Sequence, residues 1–358
     1  MTHHPSIRRP IGLLAILLAL AMVAAACGSD DDGAAAPEGA SSSTSAETGR
    51  SSEDGAGEDP AAAEIAEDTA DETTAGGEET ADEAVAEAGF PIDVETSSGT
   101  VTIAEQPSRI VSLSPTATEI LFAVGAGDQV VAVDIFSNHP ADAPEGTLDG
   151  FTPDLEAILA TEPDLVVATG LPEDITAGLE SAGVVVMFNP AAASFDDTFD
   201  QVAQLGEATG NLDGAAAVNA EIRAGIEEVL ASLPTDGADP VRVFHEIDDS
   251  FYTASSASFI GQVYAEMGFE NIADPLDDGS GFPLIDGESI IAADPTLIVF
   301  TDQVGYGVDE ITARPGWDQT TAVASGNVVQ VDADIASRWG PRIVEFMQAI
   351  ADTLLVSS

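Results

Sequence analysis

The chain has 358 residues, with 64 Asp and Glu set against nine Arg and no Lys, for a formal charge of -55. Such a balance excludes nucleic acid and anionic lipid headgroups as partners held by charge, since both are polyanions. With a single cysteine, Cys27, an intramolecular disulfide and a thiolate zinc cluster are excluded as well, so the fold must rest on an ordinary hydrophobic core.

Residues 1–10 carry Arg8 and Arg9 and no acid, and residues 11–26 form an unbroken small and apolar run. That order is the signature of a secretory signal. The run is shorter than the roughly 18 residues that a spanning helix needs. It ends in Ala24-Ala25-Ala26-Cys27-Gly28-Ser29, so Cys27 is the expected site of lipidation and the new N-terminus. The adjacent Arg8-Arg9 leaves both the general and the twin-arginine export routes open. Residues 27–89 then hold almost only Ala, Gly, Ser, Thr, Asp and Glu, with Arg50 as the one base and no aromatic residue. This composition cannot bury enough apolar surface to offset chain entropy and reads as a disordered acidic tether. As a flexible coil it would reach about 45 Å.

From residue 90 onward, short β-branched runs alternate with helical stretches, the pattern of strand-helix-strand units around parallel sheets. The first lobe, 90–205, reads 109–113 as strand, 117–124 as helix and 129–133 as strand. Helix follows at 152–160, with Thr152 as cap and Pro153 as first helical residue. Strand 165–168, helix 175–182 and strand 184–188 complete this lobe. An amphipathic stretch from 195 to 233, interrupted at Gly210-Asn211, places Val218, Ile222, Ile226 and Val229 at helical spacing. Residues 206–236 are therefore expected to be a connecting helix. The second lobe, 237–358, reads as strand 241–247, helix 259–267, strands 297–300 and 328–331, and a last helix 341–355.

The two lobes share a segment. Leu155-Glu156-Ala157-Ile158-Leu159 with Pro163-Asp164-Leu165-Val166-Val167 aligns without a gap on Gly287-Glu288-Ser289-Ile290-Ile291 with Pro295-Thr296-Leu297-Ile298-Val299. Two similar lobes on one stiff helix leave a cleft between them, where a ligand is expected.

Arg109-Ile110-Val111-Ser112-Leu113-Ser114-Pro115-Thr116-Ala117-Thr118-Glu119-Ile120-Leu121, continuing to Gly125-Ala126-Gly127, resembles the opening strand and helix of the periplasmic binding proteins for iron siderophores, haem and vitamin B12. The resemblance extends through 156–167, 288–299, Arg314-Pro315-Gly316-Trp317, Gly326-Asn327-Val328-Val329 and Gly340-Pro341-Arg342. It implies an α/β fold of two Rossmann-like lobes with central parallel sheets, joined by one long rigid α-helix, with the ligand cleft between the lobes. It also implies a non-catalytic role: capture of a metal chelate and delivery to the permease dimer of an ABC importer driven by a cytoplasmic ATPase. The chelate would be a ferric siderophore or a corrinoid, with haem third, carried as substrate and not as cofactor. In this family one exposed glutamate per lobe meets arginine pockets on the permease, and the matching positions are Glu156 and Glu288. The protein would act as a monomer outside the cytoplasm, anchored to the membrane by the lipid on Cys27.

Loops that follow the strands supply the ligand-binding candidates. These are Ser114, Pro115 and Thr116, then Asn138, His139, Phe151, Thr169 and Gly170 in the first lobe, and His245, Glu246, Phe251, Tyr252, Phe282, Asp302, Gln303, Arg314, Arg338 and Trp339 in the second. Arg314 and Arg338 are the arginines expected to face the cleft, since a guanidinium fork suits an anionic chelate; Arg342 is the candidate for a structural role. So few cations favour a neutral or weakly charged chelate over a highly anionic catecholate. Phe282 matches an aromatic position of the vitamin B12-binding relative. That relative's other pocket tryptophans fall at Gly150 or Phe151 and at Thr169, a departure that weighs against cobalamin itself.

Competing classes lack their motifs. No Gly-x-Ser-x-Gly elbow or Walker loop supports an enzyme. A bare zinc or manganese receptor gathers about three histidines, and only His139 and His245 remain after the signal. A sensing or adhesion lipoprotein would leave the glutamate pair incidental.

Overall fold

The computed structural model describes residues 89–233 and 240–356; the signal, Cys27 and residues 28–88 of the expected tether lie outside the described residues. The described chain opens with a hairpin, β1 (Ile92–Thr96) and β2 (Gly99–Ile103), paired antiparallel with Thr96 opposite Gly99. No strand was expected before residue 109. The alternation is present, with Val94 and Ile103 buried while Asp93 and Thr102 stay outside, hydrogen-bonded at 2.7 Å. What misleads is the Ser97-Ser98 turn, which lacks the Asn-Gly or Asp-Gly pair that marks a tight hairpin.

The N-terminal lobe follows as β3 (Ile110–Leu113), α1 (Pro115–Ala123), β4 (Val130–Val133), α2 (Leu155–Leu159), β5 (Leu165–Ala168), α3 (Glu173–Ser181) and β6 (Val185–Phe188). Its four strands are parallel in the order β4-β3-β5-β6. The central pair β3 and β5 is buried at every position, as strands covered on both faces must be. One helix start differs from expectation. Asp154 is the N-cap of α2, its carboxylate accepting the Ala157 N–H at 3.0 Å. Thr152 instead donates its hydroxyl to Asp149 at 2.7 Å, and Pro153 precedes the cap, so the helix is shorter than the sequence implied.

Two helices lead to the second lobe. The first, α4 (Phe195–Thr209), opens with a capping box between Ser194 and Asp197 and stops at Gly210, whose φ of +76° few other residues adopt. The second, α5 (Leu212–Ser232), runs 21 residues, about 31 Å at 1.5 Å per residue. The C-terminal lobe contains β7 (Arg242–Glu246), α6 (Phe259–Glu266), β8 (Glu270–Asn271), α7 (Gly287–Ala293), β9 (Leu297–Thr301), α8 (Val308–Thr312), α9 (Thr321–Ser325), β10 (Val328–Val331), α10 (Ala333–Ser337) and α11 (Ile343–Val356). Its parallel sheet has the order β10-β9-β7-β8. Val218, Ile222, Ile226 and Val229 of α5 are buried in one continuous core with Leu165 of β5, Leu297 of β9 and Phe346 and Ile350 of α11. The long helix and α11 thus carry a single hydrophobic core from one sheet to the other. The fold is α/β, two parallel-sheet lobes joined by a long helix.

The shared segment is repeated down to its hydrogen bonds. Asp154 caps α2 and Asp286 caps α7, and Ile158 and Ile290 bury beneath the two helices. Each unit ends on a left-handed residue, Glu162 at φ 52° and Asp294 at φ 47°, just before Pro163 and Pro295. In each lobe an arginine at the start of the neighbouring strand satisfies the helix-end carbonyls. Arg109 donates to Thr161 O and Glu162 O at 2.5 and 2.7 Å; Arg242 donates to Ala293 O and Asp294 O at 3.3 and 2.9 Å. Glu156 and Glu288 therefore occupy equivalent, exposed positions on the two lobes.

Candidate functional site

Parallel sheets place their working loops at the carboxyl ends of the strands, and here those ends of the two lobes come together. Asn138, after β4, donates to Asp334, in α10 after β10, at 2.7 Å. Trp339 donates its indole N–H to Gln201 Oε1 of α4 at 2.8 Å, and its ring lies against Phe259, which in turn meets Phe195.

On the N-terminal side, residues 134–151 form a long loop with an apolar, outward face. Ile135 is 53%, Phe136 38% and Phe151 48% exposed, and the two phenyl rings meet edge-to-face at 5.2 Å. Buried Asp134 anchors the loop by accepting the Phe136 and Ser137 N–H groups at 2.7 and 3.0 Å. Burial pushes the Asp134 carboxyl above its ordinary pKa, with those hydrogen bonds pulling the other way. His139, Thr169 and Gly170 are exposed beside this loop's elements, and Pro115 is half-buried. Ser114 and Thr116, expected at the ligand, are instead buried. Ser114 caps α1, accepting the Ala117 N–H, and Thr116 packs beneath Gly340 of the other lobe.

On the C-terminal side Tyr252 and Phe282 are half-buried, Asp302 and Gln303 are exposed, and Leu284 stands 59% exposed. Asp302 also accepts the Ala333 N–H at 3.0 Å. His245 and Glu246, expected to line the cleft, are buried. β7 is covered on both faces, so neither of two successive side chains reaches solvent. The His245 Nδ1 lies 2.7 Å from the Tyr264 hydroxyl, and complete burial pushes its pKa down to about 4 while raising that of Tyr264. Both Glu246 oxygens are taken, by Arg314 at 2.5 and 2.7 Å and by the Tyr306 hydroxyl. Burial and this carboxylate together raise the Tyr306 pKa.

The two arginines expected to face the ligand are likewise committed. The Arg314 guanidinium stacks 4.6 Å from the Trp317 ring and 5.3 Å from those of Phe251 and Tyr306. Arg338, 5% exposed, binds Glu119 at 2.6 Å and Asp334 at 2.8 Å; Arg342 binds the same buried Glu119 at 2.6 and 2.9 Å. Among the described residues the remaining arginines are also engaged: Arg109 and Arg242 at the helix ends above, and Arg223 over the Phe199 ring at 3.6 Å. With no lysine in the chain, the loops at the lobe junction offer exposed His139 but no uncommitted guanidinium. Residues that the sequence reading missed are Ile135, Phe136 and Leu284, and the anchors Glu119, Asp134 and Tyr306. Ile135 and Phe136 follow Asp134 just past the end of β4, and nothing in their local sequence separates an exposed loop pair from a buried one.

Glu288 stands on the rim of a pocket of about 660 Å³ lined by Phe251, Asp286, Gly287, Ile291, Arg314, Pro315 and Trp317. Among the described residues no group of three His, Cys, Asp or Glu is placed to hold a metal ion, and no helix is long and apolar enough to cross a membrane.

Two parallel-sheet lobes on a long helix, with apolar loops where their carboxyl ends meet, define a two-lobed solute-binding protein. The chain belongs to the family described as periplasmic binding proteins, whose profile matches residues 110–335. It is 34% identical over 278 residues to a cobalamin-binding protein of Halobacterium salinarum, covering 74% of each chain. It is 29% identical to an uncharacterized ABC transporter substrate-binding lipoprotein of Bacillus subtilis, covering 74% of this chain and 86% of that one. Among solved structures, a possible iron-binding periplasmic solute-binding protein of Staphylococcus epidermidis superposes with a TM-score of 0.61 at 26% identity, over 70% of this chain and 99% of the other.

Proposed function

We propose that this protein is the solute-binding component of an ABC importer, held outside the cytoplasm by a lipid on Cys27, and that it carries a metal chelate of low negative charge, a corrinoid before a ferric siderophore. The observation that carries this reading is the character of the lobe junction. Ile135, Phe136 and Phe151 present apolar surface from the first lobe, while every described arginine is engaged within the protein. A corrin ring edge with its amide side chains suits aromatic contacts and needs no cation. The propionates of haem or the charges of a ferric catecholate would meet uncompensated acids, and like charges brought together cost several kcal/mol. The named ligand of the Halobacterium relative supports the corrinoid, although Thr169 stands where a pocket tryptophan was sought.

Titration of the full chain with cyanocobalamin, dicyanocobinamide, haemin, a ferric hydroxamate and a ferric catecholate tests this, with Trp339 at the junction as fluorescent reporter. The corrinoids are expected to bind at least about 100-fold more tightly than haemin or the catecholate, equivalent to roughly 2.7 kcal/mol. A catecholate that binds as tightly as the corrinoids would overturn the reading.

For delivery, the equivalent placement of Glu156 and Glu288 supports docking on the two halves of a permease dimer, where matched carboxylates set orientation. Glu156→Ala combined with Glu288→Ala is expected to leave the affinity for cyanocobalamin within about twofold of the parent and to abolish stimulation of the reconstituted transporter's ATPase. Retained stimulation would remove the two glutamates from the docking surface.

A further inference from the structure

The exposed aromatic edge of one lobe is tied to the other lobe by the Arg338 guanidinium and by its partner Asp334. Arg338 sits in the C-terminal lobe, yet its Nη2 donates to the Phe136 carbonyl at 3.1 Å and its Nη1 to Asn138 Oδ1 at 2.9 Å. The same group is fixed by Glu119 at 2.6 Å and by Asp334 at 2.8 Å, and Asp334 closes the circuit by accepting from Asn138 Nδ2 at 2.7 Å. Within its own lobe, the 135–138 segment is held by the Asp134 carboxylate, by the Ile135 N–H to Leu148 O bond, by the Ser137 hydroxyl 2.8 Å from that of Thr118, and inside the loop by the Asn138 N–H to Phe136 O bond at 3.0 Å. None of these bonds reaches the Phe136 carbonyl from outside the loop. The segment bears Phe136, whose ring meets Phe151 and is more than a third exposed.

We propose that Arg338 is a positioning residue for ligand binding: without touching the ligand, it sets where the Phe136–Phe151 edge stands and so makes the first lobe's contact surface depend on the second lobe. Its burial at 5% exposure keeps it from the ligand, and its planar fork can serve four partners at once, as a lysine cannot. This rests on the corrinoid-binding reading for its affinity arm, and on the loop geometry alone for its second arm.

Arg338→Lys in the full chain is the test, since it keeps a cation beside Glu119 while giving up the fork. Hydrogen exchange at the amides of residues 135–138 is expected to speed up by about tenfold or more, with α1 and α11 unchanged, as a locally freed segment requires. For cyanocobalamin, Arg338→Lys is expected to weaken binding about tenfold in the parent but less than about twofold in a Phe136→Ala background, the signature of two residues acting as a unit. Asn138→Ala, which spares the buried Glu119 cluster, should reproduce part of both effects and stands in should Arg338→Lys fail to fold. Unchanged exchange at 135–138, or losses of affinity that simply add, would overturn the proposal. A parent chain that binds no cyanocobalamin would instead overturn the corrinoid reading and leave the exchange measurement to decide this one.

Discussion

Replacing Glu119 with leucine is expected to lower the free energy of unfolding by about 3–5 kcal/mol, the usual cost of stranding buried charge by removing its partner. Glu119 is 3% exposed on α1, and its two oxygens serve Arg338 and Arg342 together. The carboxylate is thus the meeting point of one lobe with the residues between α10 and α11 of the other. Taking it away leaves two guanidinium groups facing each other in the low-dielectric interior. A control separates charge from packing. Removing all three with Glu119→Leu, Arg338→Met and Arg342→Leu should recover most of the loss, because a buried ion cluster replaced as a whole by apolar groups is often neutral. Urea unfolding of the three proteins provides the measurement. A single-variant loss under about 1 kcal/mol would mean that this cluster behaves as an exposed pair and does not bind the lobes.

The second large effect is a loss of stability in mild acid. His245 is buried with its Nδ1 paired to the Tyr264 hydroxyl, and burial holds its pKa near 4 against the ordinary 6.5. Between those values the unfolded chain binds a proton that the folded one refuses. Stability therefore falls as pH drops from about 6.5 to about 4, by up to roughly 3 kcal/mol at 1.36 kcal/mol per unit. The raised Asp134 acts in the opposite sense, since protonating it relieves a buried charge as pH falls. Carboxylates held low by hydrogen bonds, such as Asp286 with the Ser289 N–H and hydroxyl, lose their contribution only below the ordinary carboxylate range. The histidine window is therefore distinct. His245→Gln should flatten the stability profile between about pH 6.5 and 4.5; a profile as steep as the parent's would assign the acid sensitivity to other groups.

The order of strands and helices was legible because their cores are written in local periodicity. Short Val, Ile and Leu runs make β5 and β10 at the residues expected, and the spacing of Val218, Ile222, Ile226 and Val229 marks the buried face of α5. The likeness of 155–167 to 287–299 was legible too. What it did not disclose is the pair Arg109 and Arg242, because their partners are backbone carbonyls that no sequence pattern records. The candidate site was read less well, and for a consistent reason. A loop position after a strand says where a residue is, while burial depends on what arrives from elsewhere in the chain. Arg338 was assigned to the ligand because its partner Glu119 lies 219 residues away. His245 and Glu246 were assigned there as residues at the carboxyl end of a strand, but they lie within β7, which is covered on both faces, so neither side chain reaches solvent.

The inward commitment of the arginines also determines what the protein shows to its surroundings. With lysine absent from the chain and the described guanidinium groups bound to carboxylates, carbonyls or rings, the outer skin is close to single-signed. Such a polyanion gathers small cations into its hydration layer and is pushed away from phospholipid headgroups. Under the anchoring and docking proposed above, contact with the bilayer would be left to the lipid, and recognition of a permease to basic residues on the permease side.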